Sequence, residues 1–173
     1  MIALTNTLER EPESEVLVRF ADCDPFNHLN NSKYIDYFLN AREDQLIKHY
    51  DLDIYRMAKE TGLAWVVSQT QIAYLSSAQL MERVLIRTRL ISFSEKQLLV
   101  EGLMLGADRT QVKSLMWMHL THVNLMTQRS YAHSPELMEF FSEAAYPLEE
   151  ASFEERLKGL GGRGINAKTV SGN

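Results

Sequence analysis

With a single cysteine, Cys23, in 173 residues, the chain has no internal disulfide and depends on a buried core, as proteins of reducing compartments do. No run of eighteen apolar residues occurs, which argues against a membrane-spanning helix. The opening MIALTNTLEREPESE lacks the basic-then-apolar order of a secretory signal, so a cytoplasmic location is expected. Basic charge is also scarce: 18 Lys and Arg face 23 Asp and Glu, for a net charge of −5. That balance, with no basic tract, argues against a nucleic-acid footprint.

What is present is enough apolar material, 45% of residues, for one globular domain. Residues 1–14 carry three glutamates and a proline and read as a loosely held arm. EVLVRFA predicts a first strand over 15–21. From Asn31 the period changes: Tyr34, Phe38, Ala41 and Gln45 share a helical stripe with Tyr37, Asn40 and Asp44 beside it, and nothing breaks the helix before Tyr50. Asn30 or Asn31 suits its N-cap. DIYRMAKETG predicts a short helix closed by Gly62.

Four strand-forming segments follow, at 63–75, 82–91, 97–107 and 110–125, with connections short enough for antiparallel neighbours. In the second, Val84, Ile86, Thr88 and Leu90 face the core, and Arg83, Arg87 and Arg89 face water or an interface. HSPELMEFFSEA begins a helix capped by Ser134 with Pro135 first in it. The domain is expected to span 15–145. The extension 146–173 holds a possible exposed helix, LEEASFEERLK, and a glycine-rich tail expected to be flexible from 159. One long amphipathic helix followed by a meander gives an α+β domain with the helix inside a curling sheet.

The chemistry concentrates in RFADCDPFNHLNNSKYIDYFLNAR, residues 19–42. A helix starting at Asn31 offers unpaired amides and a partial positive charge, able to hold a carbonyl oxygen as charge develops on it. A carboxylate just upstream, Asp24, could then attack that carbonyl or deprotonate a water. Asp22 fits a structural role, satisfying loop amides. His28 fits a core histidine, a proton donor or a general base. A metal site from Asp22, Asp24 and His28 lacks a further ligand at a recognisable interval. Cys23 lies between two anions that raise its thiol pKa, which makes it a poor nucleophile. His119 and His122, three apart in a strand, fall on opposite faces. Tyr34 is near enough to the turn to shape a pocket. Arg87, Arg89 and Lys96 are candidates for gripping phosphates of a large substrate, against the alternative of a solvated strand face.

The same stretch resembles the hot-dog fold acyl-CoA thioesterases, in the branch related to 4-hydroxybenzoyl-CoA thioesterase. IAYLSSAQL and VNLMTQRSYAHSPELMEFF are similar to later segments of that family, and the resemblance covers roughly residues 14–145. It implies Asp24 as the catalytic carboxylate, the Asn31 amide as the group polarising the carbonyl, and His28 as the histidine of fatty-acyl members. Asn30 would help position substrate or water. It also implies a homodimer or homotetramer with the site between subunits, and coenzyme A phosphates held by basic residues. No metal or redox cofactor would be needed, coenzyme A being part of the substrate. Asn27 stands where relatives have glycine, and Ser76 and Ser77 replace Arg-Pro. DCDPFNH also approaches the Asp-x-Asn-Pro-x-His of hot-dog enoyl-thioester hydratases, but its histidine arrives one residue late. A non-catalytic acyl-thioester binding module is the other alternative.

Overall fold

The computed structural model describes residues 8–161. Its strands are β1 (Glu13–Leu17), β2 (Leu63–Tyr74), β3 (Arg83–Phe93), β4 (Gln97–Gly106), β5 (Val112–Asn124) and β6 (Arg129–Ser130). The helices are α1 (Tyr34–Tyr50), α2 (Ile54–Thr61), α3 (Pro135–Ala144) and α4 (Phe153–Gly161). The sheet is antiparallel throughout, in the order β1-β3-β4-β5-β2, with β6 added to β5. Register shifts after Val67, Leu90 and Met104 increase its twist and help it curl.

The concave face receives α1. Tyr34, Tyr37, Phe38, Ala41 and Gln45 are buried, whereas Asn40 and Asp44 stay outside, so the expected stripe is the one the helix buries. Gln45 is polar but satisfied: its amide donates to Ile86 O at 2.9 Å and Ser14 Oγ at 3.0 Å, and the Thr88 hydroxyl donates to its oxygen at 2.5 Å. Phe38, fully buried, lies on Gly102 of β4 so closely that a Cβ there would fall 2.5 Å from its ring. Met104, Met116 and Met118 complete this core, as methionines of such segments usually do. Ser134 and Gly62 cap α3 and α2 as expected, with Gly62 at φ 70°.

Several boundaries differ from expectation. The first strand spans 13–17 rather than 15–21, because the chain leaves the sheet into a 3₁₀ turn at Phe20–Asp22. The helix expected from Asn31 begins as a 3₁₀ turn, Asn31–Lys33, before becoming α at Tyr34. The arm is held as far back as it is described: Tyr50 donates its hydroxyl to Glu9 O, Pro12 O accepts from Thr88 N, and Glu11 and Glu13 pair with arginines of β3. Residues 1–7 lie outside the described residues.

The C-terminal helix is docked, not exposed. Phe153 is buried against Trp117 on the convex face, and Arg156 donates to Glu101 at 3.0 and 3.2 Å. Glu101, 1% exposed, also accepts from Trp117 Nε1 at 2.9 Å and forms an ion pair with Arg89, whose Nε lies 3.2 Å away. The helix runs through Gly161, taking in the first three residues of the segment expected to be flexible from 159; residues 162–173 lie outside the described residues.

Gly102→Ala must displace the Phe38 ring from a filled core and is expected to cost about 1–3 kcal/mol by urea unfolding with unchanged m-value. His133 is buried in a stack with Trp65 and His122, and Ser94 O, 3.1 Å from Nδ1, can only accept. Nδ1 therefore carries the proton and Nε2 accepts from Trp65 Nε1 at 3.0 Å, an arrangement that only the neutral ring satisfies. Burial, with His122 alongside, holds its pKa below the ordinary 6.5. Below pH 6.5 the unfolded chain takes a proton there that the folded chain refuses. Stability is thus complete above that pH and falls as pH drops through the folded value; denaturant melts of His133→Gln should show a shallower acid slope.

Candidate active site

The turn after the first 3₁₀ segment is built from its own backbone. Asp24 N donates to His28 O at 2.8 Å and Asn27 N to Asp24 O at 3.1 Å. Asn27 takes φ 62°, left-handed backbone that asparagine tolerates better than most residues, so the turn survives without the glycine. Asp24 is half-buried, and its Oδ1 accepts the amides of Phe26 at 2.9 Å and His28 at 3.1 Å. Its Oδ2 makes no hydrogen bond to a described residue. One oxygen is pinned and the other is available.

The helix start lies directly downstream. Asn30 Oδ1 caps it by accepting from Ser32 N at 3.0 Å and Ser32 Oγ at 2.9 Å, which settles the choice between Asn30 and Asn31 as cap. The Asn31 amide has no acceptor among the described residues, while its carbonyl accepts the Tyr74 hydroxyl at 2.9 Å. Backbone pairing anchors the turn to the segment after β2: Leu29 N donates to Ala78 O, Leu80 N to Asn27 O, and His28 bridges Gln79.

Asp22 does not hold loop amides with its carboxylate, as expected of it. Its Oδ2 accepts the Tyr37 hydroxyl at 2.9 Å, and its backbone carbonyl takes the Asn30 amide. Tyr37 in turn accepts Arg19 N at 3.2 Å, and burial with Asp22 nearby raises its phenol pKa. Tyr34 is buried, stacks edge-on with Tyr74 at 5.1 Å and accepts the Ala78 amide; burial raises its pKa as well. The Cys23 thiol, on Arg19 O, is raised by burial and then by Asp22 and Asp24. His28 is half-buried and makes no side-chain hydrogen bond to a described residue.

Asp24, His28, Asn30, Asn31 and Tyr34 are thus brought together. Arg87, Arg89 and Lys96 are not. Arg87 pairs with Glu13 at 2.6 Å and Arg89 with Glu11 at 2.8 Å, both under the arm and α4. Lys96 sits in the turn beyond the far end of β3, about 35 Å of strand from the start that holds the turn. Ser76 bonds Val112 O and Ser77 O accepts from Lys113. Tyr37 and Tyr74 were not foreseen as supports, although Tyr74 lies in IAYLSSAQL and sits where alternation could have flagged it.

A sheet wrapped around one helix, with an acid-bearing turn at that helix's start, is the hot-dog fold. The family model described as Thioesterase-like superfamily matches residues 18–144, and the chain belongs to that family. Among solved structures it is similar to the probable thioesterase YbaW of Escherichia coli, at 23% identity over 78% of this chain and 98% of that one, with TM-score 0.67. A DHNA-CoA thioesterase from Staphylococcus aureus shares 18% identity over 77% and 89%, with TM-score 0.70. A hypothetical protein, SAV2348, from Staphylococcus aureus in complex with CoA shares 15% over 88% and 95%, with TM-score 0.74. At these identities the likeness establishes the fold. No curated protein matches the sequence.

Tyr37→Phe would leave the Arg19 amide and the Asp22 carboxylate without their shared partner. It is expected to destabilise by about 1–3 kcal/mol, and a double-mutant cycle with Asp22→Asn should return a coupling energy well above zero.

Proposed function

We propose that this protein hydrolyses an acyl-CoA thioester, with Asp24 as the reactive carboxylate and the Asn31 amide polarising the thioester carbonyl. The observation that carries this reading is the division of labour at Asp24: Oδ1 is fixed by two amides, Oδ2 is unengaged among the described residues, and an unpaired amide opens the helix seven residues on. In one route Oδ2 attacks the carbonyl carbon and the thiolate leaves, giving an acyl anhydride that water then cleaves. In the other, Oδ2 takes a proton from water as the water attacks. In both, the oxyanion that develops meets the Asn31 N–H, and His28 is available to exchange a proton with the departing thiol.

The site is completed by a second copy of the chain. Around the turn Phe20 is 80% exposed, Phe26 77% and Met81 62%, apolar surface that one protomer leaves in water. β2 is an edge strand with exposed Val66 and Val67, open to pairing with its counterpart. The CoA complex of the S. aureus neighbour and the family membership favour a CoA thioester as substrate.

Thiol release from a panel of acyl-CoAs is the test. Asp24→Asn should lower the rate by about 10²- to 10⁴-fold with circular dichroism and melting unchanged. Full activity in that variant refutes the assignment.

A further inference from the structure

Behind α1 lies a cavity of about 280 Å³, bounded by the helix, the sheet, α2 and α3. None of Asp24, His28, Asn30 or Asn31 lines it. Most of its wall is apolar, including Leu39, Leu46, Trp65, Leu98, Met118 and Phe140. Into this lining the sequence puts Arg42, one residue past the last alanine of the buried stripe.

Arg42 makes no ion pair or hydrogen bond with any described residue. It is half-buried, and burial lowers its pKa to about 10, which leaves the guanidinium charged at neutral pH. The other ionisable groups on the wall make no ion pair with Arg42. Glu43 Oε1 accepts the Tyr55 hydroxyl at 2.6 Å, and Arg89 is paired with Glu11 and Glu101. Tyr50 gives its hydroxyl to Glu9 O, and burial pushes its pKa up to about 12, so it supplies no anion. The sequence before the described residues, MIALTNT, contains no Asp or Glu.

A charge partly withdrawn from water gains from an opposite charge or hydrogen bonds that answer it. Here the described residues provide neither, while the space beside the charge is apolar. The molecule that satisfies both features has an apolar body and one carboxylate, which the planar guanidinium can bind through two N–H groups. At about 280 Å³ the cavity sits at the small end of ligand sites, which suits a tail of medium length rather than a long chain.

We propose that this cavity is a binding site for a medium-length aliphatic carboxylic acid, its carboxylate paired with Arg42 and its tail against Leu98, Met118 and Phe140. The site is separate from the Asp24 turn and does not depend on the reaction assigned there.

Calorimetric titration of the full chain with sodium decanoate and with 1-decanol tests this without any variant. Decanoate should bind at least tenfold more tightly; equal affinities, or no binding of decanoate, overturn the proposal. Arg42→Gln should lose at least tenfold in decanoate affinity while its decanol affinity stays the same, and Arg42→Lys should regain part of the loss. Unchanged decanoate binding in Arg42→Gln overturns it. Asp24→Asn should bind decanoate as the parent does, and loss of binding there would move the acid to the turn and overturn the assignment to the cavity. Arg42-dependent decanoate binding in a protein that releases no thiol from any acyl-CoA would leave this site standing and remove only the thioesterase reading.

Discussion

The approach of α1 to the sheet is the constraint on which the rest depends. Phe38 meets β4 at the one residue of that strand's centre that has no side chain, so helix and sheet close to a distance that any Cβ would forbid. Once the helix is seated there, Tyr34 and Tyr37 at its first turn are held in place by the core. Their hydroxyls reach Ala78 and Asp22, which tie the helix start to the turn before it. The geometry around Asp24 therefore inherits the rigidity of the core although the turn itself is at the surface.

The convex face shows a different economy of charge. Four arginines, Arg87, Arg89, Arg109 and Arg156, meet four glutamates, Glu11, Glu13, Glu101 and Glu150, drawn from the arm, the sheet and the C-terminal extension. Glu101 is the centre of this network, and a carboxylate so deeply buried requires its partners. This is why the arm and α4 are part of the folded domain, and why basic residues that alternate along β3 are occupied by the protein's own acids. Arg42 is the contrast: a half-buried cation to which the described residues give no acid.

Much of the architecture was legible locally. Alternation marked the four long strands to within a few residues, and the helical stripe from Tyr34 to Gln45 identified the buried helix, because both signals come from a repeat that tertiary contacts merely occupy. The caps at Ser134 and Gly62 were legible for the same reason. The ends were less so. The first strand slipped by two residues at its start, because its pairing with β3 is set across the sheet and its own alternation is weak.

The sequence by itself determined the elements, the turn and the helix that follows it, since each rests on hydrogen bonds and side-chain periods spanning only a few residues; the Asp24 carboxylate bonds amides two and four positions away. The tertiary structure alone decided which charges are answered. Arg87 finds Glu13 seventy-four residues earlier, Arg156 finds Glu101 fifty-five residues earlier, and Arg42 is left facing a cavity. Pairing of charges depends on distance in space, and no local pattern in the chain encodes that distance.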